Sequence, residues 1–282
     1  MITLRDVTCS SPEPAELCET LQRFGVVRIP NFLSAAETRA LLDEATLATT
    51  AFANYQNPYG PCSRFSMERL PPHLARSRDL IGGDQLDPLP AEFPQARALL
   101  TSDLFRQTTS AYLGPRCGFM EVVVFTRDCN SDPEAMYGKL HYDRRHQLKF
   151  ILYLNDVDQS NGAFGCIPGS HRTGRKLFLL RWRESLAMET TEAEEIDAAA
   201  AATPEDASVY ASVRCVLDRG EALAIRRAIS IDGPAGTLLA FDTNLLHFGG
   251  FVTAPQRERW TLKGHTFATL PPTPRTVDAG HS

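Results

Sequence analysis

The spacing of hydrophobic and polar positions predicts helices in the N-terminal part of the chain. A segment of helix formers with a Ser-Pro start ends at Gly25, a residue typical of helix C-termini. The apolar segment VVRIPNF predicts a short strand, and Ser34 followed by Glu37 has the spacing of a capping box at the start of a second helix. Residues 93–114 predict a helix pair. Residues 56–90 lack clear periodicity, which predicts loops and short strands.

From residue 119 onward the period changes to that of strands. FMEVVVFT is rich in β-branched and aromatic residues, and QLKFILYLND alternates between two unlike faces. A strand with one apolar and one mixed face is typical of a barrel wall that is covered by helices or by a second sheet. The apolar face consists of Leu148, Phe150, Leu152 and Leu154. The mixed face consists of Lys149, Ile151 and Tyr153.

Turn signals and further strands complete the pattern. Asn161-Gly162 indicates a hairpin turn, and strands are predicted again in EALAIRRAISI, GTLLAFDTNLLHFGGF and RERWTLKGHTFAT. Residues 173–230 interrupt the strands with helical and acidic, Ala-rich sequence, which we interpret as an insertion that could close as a lid over a site. Helices followed by many short strands predict one domain over residues 1–282, mainly β with flanking helices, built as a sandwich or jelly roll.

Composition and charge exclude several classes of protein. The 282 residues are 43% hydrophobic and 22% charged, with a net charge of −5 and no Lys/Arg-rich run, so we expect no nucleic-acid partner. We find no signal peptide and no apolar run close to the roughly 18 residues that span a bilayer, so we expect no membrane partner. The seven cysteines are scattered without a CxxC pair, which argues against a zinc ribbon or a disulfide framework and predicts a location in the reducing cytoplasm.

A histidine and an aspartate that precede the predicted central strand indicate a metal site. His141 and Asp143 are two apart, so on a strand they would direct a nitrogen and an oxygen to the same side. A third ligand would complete the arrangement of two His and one carboxylate that binds non-haem iron with open coordination positions. The best candidate is His247, at the end of a second apolar strand. His146 would face the opposite side of its strand, and His265 could line the pocket.

Several motifs resemble those of one protein family. FGVVRIPNFLSAAE is followed by HYD, by LKFILYLNDVDQSNGAFGCIPGSHRTG and by GTLLAFDTNLLHFGG. In this order they resemble the phytanoyl-CoA dioxygenase family of Fe(II)- and 2-oxoglutarate-dependent oxygenases, over residues 22–45 and 119–267. The resemblance implies a cupin-like jelly roll, the double-stranded β-helix, with O₂ as oxidant. It also implies the metal ligands His141, Asp143 and His247.

The resemblance further implies a cation that binds the far carboxylate of 2-oxoglutarate. In the family this is an Arg about eleven residues after the distal His, and the planar fork of Arg binds a carboxylate bidentately. Here that position is Glu258, between Arg257 and Arg259. The length of the strand to His265 favours Arg259, and Arg257 is the alternative. The mixed strand face is expected to line this pocket, through Lys149, Ile151 and Tyr153.

We expect an enzyme that hydroxylates an unactivated C–H bond of a small molecule, with anionic molecules among the candidates, and that releases succinate and CO₂. The same chemistry could instead give desaturation, epoxidation or cyclisation, and a non-catalytic protein that binds metal and 2-oxoglutarate is a further alternative. The fold does not determine the substrate. Candidate substrate contacts are Arg64, Phe65, Tyr137, Arg144 and Trp182.

Overall fold

Two antiparallel β-sheets face each other, and helices cover the outer side of the larger sheet. The computed structural model describes residues 2–51, 78–83, 93–115, 117, 122–129, 140–143, 146–175 and 226–268. The strands are β1 Val26–Ile29, β2 Arg78–Gly83, β3 Val122–Cys129, β4 Gln147–Tyr153, β5 Phe164–Cys166, β6 Ile229–Ile231, β7 Leu238–Asp242, β8 His247–Phe248 and β9 Glu258–Phe267. The larger sheet has the order β1-β7-β4-β9-β3-β2 and the smaller one β6-β5-β8.

The helices end where the sequence predicts. They are a short 3-10 helix Leu4–Val7, α1 Pro14–Phe24, α2 Ala35–Ala51, α3 Pro94–Leu100 and α4 Asp103–Leu113. Gly25 caps α1 in the left-handed conformation, with φ of 75°. The capping box of α2 is present, since the Ser34 amide donates to Glu37 Oε2 at 2.8 Å and the Glu37 amide donates to Ser34 Oγ at 3.3 Å.

The two faces of β4 serve two different cores, as its alternating pattern predicts. Leu148, Phe150 and Leu152 pack against the helical layer, where the rings of Phe105 and Phe150 meet edge to face at 4.6 Å. On the other face, Ile151 and Tyr153 belong to a second core, which faces the smaller sheet. The second core therefore fills the interior between the sheets, and polar groups on the inner face of β4 and β9 lie inside the jelly roll.

From β6 to β9 consecutive strands alternate between the two sheets, as in the predicted jelly roll. One predicted strand is wrong in its extent, because GTLLAFDTNLLHFGGF forms β7 in the larger sheet and β8 in the smaller one. Asp242 ends β7 by accepting a hydrogen bond from the amide of Asn244 through Oδ1 at 2.9 Å. This contact turns the chain, since an aspartate that bonds its own backbone two residues on mimics a backbone turn.

The predicted insertion lies mostly outside the described residues. Of the range 173–230, the structure describes residues 173–175, in a helical turn, and 226–230, of which 229 and 230 belong to β6. The single domain over 1–282 and the lid role of the insertion stay predictions. No helix in the described part of the chain is long and apolar enough to cross a membrane.

Candidate metal centre

The structure brings His141, Asp143 and His247 together. One ligand atom from each lies within 4.8 Å of the other two, and the two imidazole rings are 4.5 Å apart between centroids. Backbone pairing produces this proximity, since the amides of His141 and His247 each donate to the other's carbonyl, at 2.9 and 2.8 Å. His141 forms only an isolated bridge, so the expected strand around His141 and Asp143 is wrong. Asp143 is held instead by its amide, which donates to the Thr243 carbonyl at 2.8 Å.

His247 is buried as the neutral tautomer that can bind a metal ion through Nε2. Its Nδ1 lies 2.7 Å from the Leu245 carbonyl, and because a carbonyl only accepts, Nδ1 carries the proton and Nε2 keeps its lone pair. Burial, assisted by repulsion from His141, lowers the pKa of His247 to about 3. The imidazole is therefore neutral at physiological pH.

Asp143 is ionised although it is partly buried. Burial raises the pKa of this carboxyl, but the charges of Lys149 and of the two histidines outweigh the effect, so the pKa is lowered overall. Lys149 Nζ lies 2.5 Å from Oδ2, while Oδ1 lies 3.7 Å from His141 Nε2. The two oxygens of Asp143 thus face different partners.

The donor set fits iron better than a structural zinc. Two imidazole nitrogens and one carboxylate oxygen leave coordination positions open, whereas a structural zinc site is closed by four ligands. Among the described residues, His141, Asp143 and His247 are the whole group that could hold the metal. His146 is turned away, since its Nε2 lies 3.2 Å from Oδ2 of Asp242.

A second polar cluster lies on the inner face of the larger sheet. Arg259 is buried, with 4% of its side chain exposed, and its Nε and Nη2 donate to Asp128 Oδ2 at 3.0 and 2.7 Å. Its Nη1 has no hydrogen bond to any described residue and lies beside Gly162, where an added Cβ would be 3.1 Å away. Asp128 therefore fixes the guanidinium and leaves one nitrogen for another acceptor.

On the same face, two threonine hydroxyls lack partners among the residues that the structure describes. Thr126 and Thr261 are paired across β3 and β9, each two residues from the Asp128–Arg259 pair. Both Oγ1 atoms are buried and without a hydrogen bond within the described part of the chain. A buried polar group without a partner is unfavourable by about 1–3 kcal/mol, so such groups indicate a bound ligand or water. Sequence reasoning missed these residues, because the pairing of β3 with β9 brings together segments that are distant in sequence.

Arg257 has a different environment. Its Nη1 donates to Asp158 Oδ2 at 2.7 Å and to Ser160 Oγ at 2.9 Å, and 39% of its side chain is exposed. Arg257 is therefore part of an ion pair at the surface, while Arg259 lies in the interior.

The mixed face of β4 presents one polar group to the candidate metal centre. Tyr153 is buried, and its hydroxyl donates to the Ile231 carbonyl at 2.7 Å and accepts from the Phe164 amide at 3.2 Å. Ile151 packs in the inner core, so Lys149 is the residue of this face that reaches Asp143. The remaining candidates, which are Arg64, Phe65, Tyr137, Arg144 and Trp182, lie outside the described residues.

Comparison with known proteins identifies the family. The family model described as phytanoyl-CoA dioxygenase matches residues 21–259. The chain belongs to the phytanoyl-CoA dioxygenase family. As a member, it is a non-haem iron enzyme that depends on 2-oxoglutarate and uses Fe(II) and O₂, as its motifs imply. None of the curated protein sequences compared with it is significantly similar.

Solved structures share the fold of this phytanoyl-CoA dioxygenase family member. The non-heme alpha ketoglutarate dependent epimerase SnoN from nogalamycin biosynthesis has a TM-score of 0.55 at 16% identity, with 90% of this chain and 82% of SnoN covered. The carbocyclase SnoK from the same biosynthesis has 0.53 at 13%, covering 89% and 83%. HygX from Streptomyces hygroscopicus, solved with nickel and 2-oxoglutarate, has 0.50 at 14%, covering 90% and 87%.

Proposed function

We propose that this enzyme hydroxylates an unactivated C–H bond of a small molecule, with Fe(II) held by His141, Asp143 and His247 and with release of succinate and CO₂. The observation that carries the proposal is the convergence of three ligand atoms within 4.8 Å of one another. Bound Fe(II) supplies oxygen chemistry that no protein side chain provides. The neutral imidazole of His247 and the ionised Asp143 have the protonation states that metal binding requires.

The inner face of the larger sheet would bind 2-oxoglutarate. Arg259 Nη1, oriented by the bond of its guanidinium to Asp128, offers a charged donor to the far carboxylate. Thr126 and Thr261 add two buried hydroxyls that lack protein partners within the described residues. The surface ion pair of Arg257 supports Arg259 rather than Arg257 in this role.

The apolar interior supports the same function by excluding water. Ile151 and Tyr153 belong to a core cluster that also contains Phe164 and Phe241. In such surroundings ionic contacts are stronger than in water, and side reactions with solvent would be reduced. Ile151 and Tyr153 would thus shape the pocket through packing.

A small-molecule substrate is supported by the solved structures, because SnoN was crystallised with nogalamycin RO. The more specific proposal, that the substrate carries an anionic group, is based on the arginines of the sequence, Arg64 and Arg144 among them. Another outcome of the same chemistry is the alternative, since SnoN is described as an epimerase and SnoK as a carbocyclase.

The test is an anaerobic titration of the apoprotein with Fe(II) and 2-oxoglutarate, followed by their visible charge-transfer band. We expect the band in the parent protein, its loss in His247→Ala, and a much higher 2-oxoglutarate requirement in Arg259→Gln. Arg257→Gln is the matched control and should titrate like the parent. If Arg259→Gln fails to fold because the buried charge of Asp128 loses its ion pair with Arg259, the double variant Asp128→Asn with Arg259→Gln replaces it.

Bound iron without a band in the parent would contradict the role of 2-oxoglutarate. Weakening in Arg257→Gln in place of Arg259→Gln would reverse the assignment of the carboxylate site. With candidate substrates, mass spectrometry distinguishes the outcomes, since hydroxylation adds one oxygen atom, desaturation or ring closure removes two hydrogens, and epimerisation leaves the mass unchanged.

A further inference from the structure

Lys149 stands beside the candidate metal centre. It lies on the inner face of β4, and its Nζ is 2.5 Å from Oδ2 of Asp143. Both side chains are partly buried, at 18% and 21% exposure, so solvent screens this contact less than it would at the surface. No other side chain of the described residues donates a hydrogen bond to this carboxylate. Within the described part of the chain, the ammonium group is therefore the one contact that holds Oδ2.

A cation at this place needs an explanation. Lys149 carries the same sign of charge as a divalent metal ion, and like charges within a few ångströms repel each other. By charge alone, Lys149 would weaken metal binding and its removal would strengthen it. The advantage of Lys149 must therefore lie in what it does to the geometry of Asp143.

The geometry at issue is the number of oxygens that Asp143 gives to the metal. A carboxylate can bind a metal through one oxygen or through both. Three protein ligand atoms leave room for a bidentate co-substrate and one further molecule, whereas a bidentate Asp143 would occupy one of these positions. Oδ1 lies on the side of His141, at 3.7 Å from its Nε2, while Oδ2 is bound to Lys149.

We propose that Lys149 is a positioning residue that retains Oδ2 of Asp143, so that the carboxylate binds the metal through Oδ1 alone and a coordination position stays open. The inference rests on the proposed metal site and deepens it. It also replaces the expectation that Lys149 contacts 2-oxoglutarate. Contacts that orient a metal ligand in this way commonly change metal affinity by about 10–100-fold when they are removed.

The test measures metal binding alone, with Co(II) as the probe, no 2-oxoglutarate and no oxygen. We expect Lys149→Met to bind Co(II) about 10–100-fold more weakly and to change the visible absorption of Co(II), which reports its coordination. Lys149→Arg keeps a cationic donor and should restore both affinity and spectrum to near those of the parent. If Lys149→Met loses cooperative unfolding, Lys149→Gln takes its place.

Lys263→Met is the matched control. Lys263 lies across from Ile151 on β9, on the same inner face, so its removal measures the effect of losing a positive charge nearby. We expect Co(II) affinity in Lys263→Met to be unchanged or higher, opposite in direction to Lys149→Met.

Co(II) binding by Lys149→Met that equals or exceeds that of the parent, with the same spectrum, would overturn the proposal. Unchanged Co(II) binding with weakened 2-oxoglutarate binding would overturn it too, in favour of a direct contact to the co-substrate. A parent that binds no Co(II) would overturn the proposed function together with this inference. A parent that binds Co(II) but forms no band with Fe(II) and 2-oxoglutarate would overturn the 2-oxoglutarate site alone, and Lys149 would still be judged by its metal affinity.

Discussion

At the scale of single residues, the buried hydroxyl of Thr261 can be used to test whether the inner face of the larger sheet binds 2-oxoglutarate. If it binds the far carboxylate, Thr261→Val should lower 2-oxoglutarate affinity about tenfold or more, since a hydrogen bond to a charged group contributes about 1.5–3 kcal/mol. Co(II) affinity should stay unchanged. The measurement is a 2-oxoglutarate titration of the charge-transfer band, with thermal unfolding to show that stability is retained.

Thr108 provides the control for this variant. Its Oγ1 is also buried and unpartnered among the described residues, but it lies on α4, outside the interior of the jelly roll. Thr108→Val should therefore leave 2-oxoglutarate binding as in the parent. Equal titrations of Thr261→Val, Thr108→Val and the parent would remove Thr261 from the site.

The difference between the predicted and the missed site residues has a physical cause. His141, Asp143 and His247 could be predicted because two His and one carboxylate are unusual beside apolar strands and are themselves the chemistry of the site. Thr126 and Thr261 are ordinary strand residues, and only the absence of partners around them is informative. That absence depends on β3 and β9, two strands that are distant in sequence, so no local pattern reports it.

At the scale of elements, Asp242 joins the segments that carry the metal ligands. Its buried carboxylate accepts hydrogen bonds from Tyr112 of α4 at 2.7 Å and from Arg175 after β5 at 2.6 Å, and it lies 3.2 Å from Nε2 of His146 before β4. Burial raises the pKa of Asp242, but His146 and Arg175 outweigh this effect and hold it well below its usual range. The carboxylate thus stays charged within a network of donors.

Asp242→Asn should destabilise the protein by about 1–3 kcal/mol, because the buried side chain loses the charge that strengthens its hydrogen bonds from Tyr112 and Arg175. Asp158→Asn is the control, since it breaks the exposed pair with Arg257 and should change the free energy of unfolding by about 0–1 kcal/mol. Urea unfolding at neutral pH measures both. Similar small effects in the two variants would show that the network around Asp242 contributes little to stability.

At the scale of the whole molecule, the local sequence pattern predicted the helices and strands better than it predicted which strands pair. Helix ends such as Gly25 and the alternation of β4 are encoded within a few residues, so they were visible in sequence. The chain changes from the larger to the smaller sheet between β7 and β8, at the turn that Asp242 forms. The hydrophobic pattern of the sequence continues through this turn, so it predicts one unbroken strand. Sheet pairing is a property of the assembled chain, so the order of elements predicted only a sandwich or jelly roll, and the family resemblance implied the double-stranded β-helix.

The contact between the helical layer and the jelly roll should make the stability of the molecule depend on pH. His171, in the turn after β5, packs on Gly25 at the end of α1, and burial lowers its pKa to about 4. In the unfolded chain its pKa is about 6.5. The unfolded state therefore binds more protons between these values, so the contribution is complete above pH 6.5 and is lost as the pH falls toward 4. About 3 kcal/mol of unfolding free energy should disappear over this range.

Urea unfolding of the apoprotein at pH 7, 6, 5 and 4 measures this loss. His171→Gln removes the titrating ring, so its unfolding free energy should change less between pH 6.5 and 4 than that of the parent. Carboxylates that are charged in the folded state, such as Asp242, contribute stability that is lost mainly below about pH 4, the unfolded-chain value, so the two effects separate along the pH axis. An equally steep loss between pH 6.5 and 4 in His171→Gln would assign the acid sensitivity to other groups.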